Sequence, residues 1–376
     1  MMHFDTYKVG IIADDLTSAT DAAMAFLARG YRPLVLCDMD RNPTARIAAV
    51  DIDSRSDSAT AAAERTKRAI SALAHRPILL KTVDSTLRGH ARTEISAAFS
   101  ASGRKRLVIA PAFPAAGRIT KGGVQYVNGL PVDQSAYAAD PVHPVRTARI
   151  ADLIDSSFGP PRILCGDGDD PGDAMVLILD AARQNDLDDQ VRALGDPSEV
   201  LWVGSPGLAI ALAALAPRIA SPAGPFAPVH RLLIVAGSAN PVTHSQCDRL
   251  AAAGIPVVVD MASDVLTPAL CLAAPRVRRA KAPLSRLADQ AANALFEGRF
   301  DGVIATGGET MTAILARLGL THFHLTRELE PGFPVGQAMA QGHKLTLAMK
   351  AGGFGGPDTL LQATAALQAG KKSDHD

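Results

Sequence analysis

The segment KTVDSTLRGH, residues 81–90, concentrates ionisable and hydroxyl side chains directly after the apolar run RPILL. A loop that only joins a strand to a helix needs no such set of groups. Lysine and arginine can hold a carboxylate, and aspartate can accept hydrogen bonds from hydroxyl groups. The segment therefore suits a small, hydroxylated anion, and its candidate binding residues are Lys81, Asp84, Ser85, Thr86 and Arg88.

Two further polar clusters follow apolar runs earlier in the chain. Asp14 and Asp15 come after KVGIIA, and Asp53 and Arg55 come after RIAAVDI. Ligands of open parallel sheets bind beyond the carboxyl ends of the strands, so all three clusters are expected at one edge of one sheet. Each has a plainer interpretation, as a helix N-cap for the aspartates and hydroxyls or as a solvated loop charge for Arg55. Three clusters at strand ends favour a shared polar-ligand site.

The second half of the chain carries three glycine-rich loops, VAGSANP, ATGGETMTA and KAGGFGGPDTL. Glycine lets backbone N–H groups approach a phosphate, and a helix N-terminus favours its negative charge. One such loop is often only a tight turn, whereas three in one domain predict a phosphate site. The second loop is predicted to open a helix at Glu309 or Thr310. No P-loop motif occurs, and Asp358 replaces the third glycine of G-x-G-x-x-G, so a nucleotide would be held in another way.

Apolar runs alternate with helical patterns along most of the chain. This predicts an α/β fold of two domains, each a mostly parallel sheet with flanking helices. The proline-rich residues 221–230 are interpreted as a linker between an N-terminal domain, residues 1–220, and a C-terminal domain, residues 231–376. The active site is expected in the interdomain cleft. Residues 111–149 break the alternation, and the Asn-Gly pair of VQYVNGLPV predicts a β-hairpin there.

Composition excludes several classes of protein. The chain has 376 residues, no net charge and 4% aromatic residues, which argues against nucleic acid as the main partner. Its four cysteines are far apart and form no C-x-x-C pair, as is typical of reduced thiols in a cytosol. The N-terminus lacks an apolar signal core, and the longest apolar run, residues 208–216, is too short to span a bilayer. A cytoplasmic protein without nucleic-acid or membrane partners is expected.

The chain resembles the four-carbon acid sugar kinase family in blocks that occur in family order between residues 8 and 365. The blocks are IADDLTSATDAA, DSRS, KTVDSTLRGH, APAFPAAGRITKGGVQYVNGLPV, GSANPVTHSQ, TGGETMTAIL, PGFPVG and KAGGFGGPDTL. The resemblance implies a sugar-acid-binding N-terminal domain and a nucleotide-binding C-terminal domain. It also implies ATP-dependent phosphorylation of the terminal hydroxyl of threonate, erythronate or 3-oxo-tetronate to the 4-phosphate, with Mg²⁺ bridging the phosphates. Three positions depart from the family pattern: Ser18 stands for glycine, GSAN for GSCS and Ala351 for serine.

The resemblance and the residue patterns together assign expected roles. Catalytic roles are expected of Lys81, Arg88, Asp15 and Asp84, with either aspartate as the candidate general base. The expected sugar-acid-binding residues are Asp14, Asp15, Arg55, Lys81, Asp84, Ser85, Thr86, Arg118 and Lys121. The expected ATP-binding residues are Gly237, Ser238, Gly307, Gly308, Glu309, Thr310, Gly352, Gly353 and Gly355. Metal ligands are not assigned, and the plainer interpretation of the Arg118 and Lys121 segment is a surface hairpin.

Two other classes fit the same residues. An atypical nicotinamide-dependent dehydrogenase of sugar acids would show an absorbance change without ATP. A non-catalytic sugar-acid sensor would bind its ligand tightly without turnover, although the sequence has no recognisable output module. The particular tetronate, its stereoisomer and the oligomeric state remain open, and a homo-oligomer is compatible with the sequence.

Overall fold

The computed structural model describes residues 7–39, 43–140, 143–220, 227–262, 266–275 and 282–369. The chain divides into two compact units, Met1–Ser221 and Pro222–Asp376. Within the predicted linker, residues 221–226 lie outside the described residues. No helix in the described ranges is long and apolar enough to cross a membrane.

The first unit is built on a parallel sheet. Its strands are β1 (Val9–Ala13), β2 (Leu34–Leu36), β3 (Ile47–Asp51), β4 (Ile78–Thr82), β5 (Arg106–Ala110), β6 (Arg118–Lys121), β7 (Val124–Val127), β8 (Leu130–Pro131), β9 (Arg162–Leu164), β10 (Val176–Leu179) and β11 (Val200–Gly204). The main sheet runs β2-β3-β1-β4-β11-β5-β10-β9, and its neighbouring strands are parallel. Strands such as β1, which reads VGIIA, are buried throughout because helices cover both faces of the sheet.

Helices pack on the two faces of this sheet. They are α1 (Leu16–Leu27), α2 (Ala59–Leu73), α3 (Ala91–Ser102), α4 (Gln184–Ala193) and α5 (Pro206–Ala214). Helix α5 contacts α1 and α4, whereas α2 packs against α3. Side chains in extended backbone cap two of the helices, Asp15 for α1 and Ser58 for α2. These caps fix where each helix starts after its strand.

The segment of residues 111–149 leaves the sheet after β5 and forms a small antiparallel sheet, β6-β7-β8. Asn128 and Gly129 join β7 to β8 with φ values of 48° and 85°. Two successive residues with positive φ are what a type I′ hairpin turn requires. The hairpin predicted from the Asn-Gly pair is therefore confirmed.

The second unit contains seven strands and four helices among the described residues. Its elements are β12 (Leu232–Ala236), α6 (Pro241–Ala252), β13 (Val257–Val258), β14 (Ala269–Ala273), α7 (Ala282–Phe296), β15 (Gly302–Thr306), α8 (Gly308–Arg317), β16 (His322–Glu328), β17 (Pro334–Ala340), β18 (His343–Lys350) and α9 (Thr359–Ala369). The strand order is β13-β14-β12-β15-β18-β17-β16. Strands from β13 to β18 in this order are parallel, and β17 pairs antiparallel with both β18 and β16. Helix α7 packs on α8, and α6 packs on α9.

The α/β class with a mostly parallel sheet and flanking helices is confirmed. One boundary was wrong: α8 begins at Gly308, before the predicted Glu309 or Thr310. Gly307 is its N-cap and has a φ of 96°, which glycine adopts without strain, so the chain can turn into the helix one residue earlier. The antiparallel strands β16 and β17 and the parallel strands β9 and β14 were not predicted.

Candidate active site

The carboxyl ends of β3, β1 and β4 lie side by side in the first unit. Ala13 pairs with Asp51, and Ile12 pairs with Lys81. The loops that follow these strands therefore start at the same edge of the sheet. This edge brings together the three polar clusters that the sequence placed at strand ends.

Arg55 lies at the centre of the first two clusters. Its Nε donates to Asp14 Oδ2 over 2.7 Å, its Nη1 is paired with Asp15 Oδ2, and its Nη2 donates to Ser18 Oγ over 3.2 Å. Asp15 Oδ1 also accepts from the backbone N–H of Ser18 at 2.7 Å. Asp15 is thus the helix N-cap, and the same carboxylate binds the arginine. Ser18, which departs from the family pattern, is a further contact of Arg55.

Asp14 has one carboxylate oxygen without a partner. The residue is only 4% exposed, and its Oδ1 is buried with no hydrogen-bond partner among the described residues. Burial alone would raise the pKa of Asp14, but the charges of Arg55 and Lys81 hold that pKa below its ordinary value. A buried, ionised oxygen without a donor is unfavourable. Asp14 Oδ1 is therefore a suitable acceptor for a hydroxyl group of a ligand.

Asp84 and Arg88 form an ion pair within the 81–90 segment. Asp84 Oδ2 accepts from Arg88 Nε and, over 2.6 Å, from Thr86 Oγ1. Burial would raise the pKa of Asp84, whereas the charges of Arg88 and Arg55 hold it below its ordinary value. The Arg88 guanidinium also lies 5.2 Å from the ring centre of Tyr137 and 3.4 Å from an Asp140 oxygen. Arg88 is thus oriented by two residues of the 111–149 segment.

The backbone of the 81–90 segment takes an unusual course. Leu87 has a φ of 61°, which is rare for a residue with a Cβ. Its side chain is buried in a small apolar cluster with Val127, Val132 and Val145, and this burial holds the strained conformation. At Gly89, with a φ of 87°, a Cβ would lie 3.5 Å from Asp14 Oδ2. The segment therefore returns against the Asp14 carboxylate and is anchored by the hairpin region.

Lys81 is fully buried beneath this edge. Its Nζ lies 2.8 Å from Glu94 Oε2 and donates to the carbonyl oxygen of Thr82 over 2.7 Å. Ser54 Oγ donates to the other Glu94 oxygen over 2.5 Å. Sequence reasoning missed Glu94, which ties the loop after β3 to β4 and α3. The assignment of Lys81 to the ligand stays a prediction, because both of these contacts are within the protein.

The other residues predicted to bind the sugar acid, Arg118, Ser85 and Lys121, have different surroundings. Arg118 donates to the carbonyl oxygen of Ala116 and, over 3.3 Å, to Tyr137 Oη, so it shares Tyr137 with Arg88. The carbonyl oxygen of Ser85 accepts from Gln125 Nε2 at 2.7 Å, which fixes the loop. Lys121 is exposed at the end of β6. Their roles in ligand binding stay predictions.

His143 was missed by the sequence analysis. Its ring lies edge-on to that of His90, with 5.8 Å between the ring centres, and its Nε2 is buried without a partner among the described residues. Burial, His90 and the nearby guanidinium groups of Arg55 and Arg88 hold the pKa of His143 below its ordinary value. No spacing in the sequence marks this residue.

In the second unit, three parallel strands end at the same level. Ala236 of β12 pairs with Thr306 of β15, and Thr306 pairs with Lys350 of β18. Each strand is followed by one of the glycine-rich loops and then by α6, α8 or α9. The N-termini of three helices therefore follow neighbouring strand ends, as expected of a site for phosphate.

The glycines of these loops allow close approach between the loops themselves. A Cβ on Gly352 would overlap Ser238 Oγ, and a Cβ on Gly237 would overlap Thr310 Oγ1. Thr243 Oγ1 donates to the carbonyl oxygen of Gly352 over 2.8 Å. The predicted nucleotide residues after β12, β15 and β18 thus form one packed set, and their contacts with ATP stay predictions.

Lys350 is a buried cation among these loops, and the sequence analysis did not assign it a role. It is 1% exposed, and its Nζ donates to the carbonyl oxygens of Ala351 at 2.9 Å and Gly352 at 3.5 Å. Burial lowers the pKa of Lys350 to about 8, and the carboxylate of Glu330 only partly opposes this effect. A buried ammonium beside three helix N-termini creates a positive potential, which favours an anion.

The chain matches two families of known domains. Residues 9–212 match a family described as a sugar-binding N-terminal domain, and residues 272–360 match one described as a nucleotide-binding C-terminal domain. A D-threonate kinase of Bordetella bronchiseptica is 32% identical over 96% of this chain and 97% of its own length. A 3-oxo-tetronate kinase of Methylobacterium radiotolerans is 29% identical over 94% of this chain and 98% of its own.

A solved structure shows the same fold. The protein described as a putative tRNA synthase from Salmonella typhimurium superposes with a TM-score of 0.80 at 22% identity, covering 96% of this chain and all of that one. The fold and the named relatives define a phosphotransferase that acts on an alcohol group of a sugar acid. The chain belongs to the four-carbon acid sugar kinase family. The dehydrogenase and sensor alternatives are not supported.

Proposed function

We propose that this kinase transfers the terminal phosphoryl group of ATP to the C4 hydroxyl of a four-carbon sugar acid such as D-threonate. The observation that carries the proposal is the unpartnered Asp14 oxygen, which lies beside the guanidinium group of Arg55. A sugar acid offers the complement of this pair, hydroxyl donors close to a carboxylate. The kinase relatives act on acids of this class by name, which supports the assignment.

Asp14 would accept the proton of the attacking hydroxyl. Both oxygens of Asp15 are engaged by Ser18 and Arg55, and Asp84 is paired with Arg88. Asp14 Oδ1 is the oxygen of these three carboxylates that is buried and without a described partner. Arg55 and Arg88 would neutralise the acid and the negative charge of the transferring group.

The loops of the second unit would hold the ATP phosphates through backbone N–H groups at Ser238, Gly308 and Gly353, with Lys350 as the buried cation. The N–H of Gly307, which was also expected to bind ATP, donates to the carbonyl oxygen of Lys350 over 2.8 Å. Glu309 is exposed in the first turn of α8 and would repel phosphates unless a divalent cation lay between them. Among the described residues, no group of three or more His, Cys, Asp or Glu side chains could hold a metal ion. Mg²⁺, which neutralises phosphate charge, would thus be bound by phosphate oxygens and few protein oxygens, with Glu309 the candidate.

The test is ATP consumption against the stereoisomers of threonate and erythronate and against 3-oxo-tetronate, with ³¹P spectra to locate the product phosphate. We expect turnover with one or more of these acids and a phosphate on C4. Asp14→Asn should lower kcat roughly 10²- to 10⁴-fold with little change in the KM for ATP. Asp167→Asn, at an exposed position of the same unit, is the matched control. No turnover with any acid, or normal turnover in Asp14→Asn, would refute the proposal.

A further inference from the structure

An apolar cavity of about 280 Å³ lies in the second unit, next to the first glycine-rich loop. Its walls are residues 257–259 on one side and residues 273–275 on the other, at the carboxyl ends of β13 and β14. Thr243, His244 and Cys247 of α6 complete it. Of the lining residues, only residues 273–275 fall within the matched nucleotide-binding region, residues 272–360.

The cavity adjoins the glycine-rich loops. Ala236, the last residue of β12, lines it and is followed directly by the first glycine-rich loop. Thr243 also lines it, and its hydroxyl donates to Gly352 of the third loop. In the strand order β13-β14-β12-β15-β18, the cavity and Lys350 lie on opposite sides of β12. Neighbouring strands are about 4.8 Å apart, so β13 is roughly 10 Å from β12. A mononucleotide whose phosphates lie at β12 and β15 would reach the cavity with its base.

The lining suits a flat, uncharged aromatic group. Valine, alanine, proline and cysteine side chains provide apolar walls, and the half-buried His244 provides one ring at the edge. No Asp, Glu, Lys or Arg side chain is among the lining residues, so neither a phosphate nor a sugar carboxylate would find a partner there. Of the parts of the two substrates, a nucleobase fits best.

We propose that this cavity binds the adenine base of ATP, with α6 linking the base to the phosphate loops. The inference rests on the proposed use of ATP and extends the nucleotide site to β12, β13 and α6. It predicts that the cavity contributes affinity for the base and that the glycine-rich loops contribute affinity for the phosphates.

Photolabelling of the wild-type chain with 8-azido-ADP, followed by peptide mapping, tests the location directly. We expect label on peptides that contain residues 242–247, 257–259 or 273–275, and we expect excess ADP to abolish it. Specific label confined to other peptides would overturn the inference. The experiment needs no sugar acid. A chain that is labelled in the cavity but turns over no acid would therefore refute the proposed function alone.

Filling the cavity tests its energetic role. Ala273→Leu should weaken ADP binding about tenfold or more, while the affinity for inorganic tripolyphosphate stays within about twofold. Ala252→Leu makes the same change at an exposed position of α6 and should alter neither affinity. Unchanged ADP affinity in Ala273→Leu would overturn the inference. If Ala273→Leu loses both affinities or does not fold, the photolabelling of the wild-type chain decides.

Discussion

Replacing Lys350 by methionine is expected to change stability and nucleotide affinity in opposite directions. The ammonium is 1% exposed, and burial lowers its pKa from 10.5 to about 8. A shift of this size corresponds to about 3 kcal/mol by which the folded chain disfavours the charged form. Methionine has a similar length and no charge, so Lys350→Met should raise the free energy of unfolding by about 1–3 kcal/mol near neutral pH.

The pH dependence gives the sign of this effect. The folded pKa of Lys350 lies below the unfolded one, so between about pH 8 and pH 10.5 the unfolded chain binds more protons and stability rises with pH. The penalty is fully present below about pH 8 and disappears above about pH 10.5. The stability difference between Lys350→Met and the wild-type chain should therefore shrink across this window.

Nucleotide binding should respond in the opposite way. The ammonium would form a charge-assisted contact with phosphate worth about 1.5–3 kcal/mol, so Lys350→Met should weaken ADP binding roughly 10- to 100-fold. Urea unfolding at several pH values and calorimetric titration with ADP measure the two quantities. Lys344→Met, at an exposed position of the same strand β18, controls for the loss of one positive charge. A variant that is less stable than the wild-type chain, or that binds ADP normally, would refute this reasoning.

Three further changes test the structure around the two sites. Gly352→Ala should weaken ADP binding about tenfold, because its Cβ would displace Ser238, and it should leave sugar-acid binding without nucleotide unchanged; titration with each ligand decides. Lys81→Met should lower the unfolding free energy by about 3–5 kcal/mol in urea, because it leaves Glu94 buried without its cation, and added Glu94→Gln should recover part of the loss. Asp84 has a lowered folded pKa, so its contribution to stability is full above about pH 4 and is lost below it. The stability difference between the wild-type chain and Asp84→Asn should accordingly narrow below about pH 4 in acid-unfolding curves.

The sequence predicts most of the parallel strands because their residues are uniformly apolar, although the parallel strands β9 and β14 were missed. A strand buried on both faces must be apolar along its length, as β1 and β12 are. The antiparallel strands β16 and β17 carry mixed residues such as HFHLTRE, since they are only partly buried, and no simple period marks them. Strand β13, at the edge of the sheet, covers only Val257–Val258, although IPVVVD reads as a full strand.

The position of the candidate site follows from topology, whereas its contacts do not. Residues after parallel strands must meet at one edge, so the grouping of Asp14, Arg55 and Asp84 was predictable. Which charge pairs with which depends on side-chain packing over long sequence separations. Lys81 pairs with Glu94 of α3, and Arg88 contacts Asp140, which lies in the 111–149 segment outside the main sheet. Such partners cannot be chosen from one sequence because several acidic residues are equally plausible.

The candidate site in each unit contains one buried charged side chain without a full set of partners, an acid in the first unit and a cation in the second. In the first unit, Asp14 Oδ1 is buried without a described donor, and in the second unit, Lys350 Nζ donates to two carbonyl oxygens while the Glu330 carboxylate only partly offsets its burial. The lowered pKa of Asp14 means that Arg55 and Lys81 favour its ionised form in the folded chain, whereas the lowered pKa of Lys350 means that burial disfavours its charged form, so stability does not explain the buried cation. Each is relieved by a ligand of one kind, a hydroxyl donor for Asp14 and a phosphate for Lys350. A chain shaped by stability alone would carry an apolar residue in place of Lys350, and this change should stabilise the kinase while it impairs nucleotide binding, whereas Asp14→Asn removes a charged partner of Arg55 and should not stabilise it.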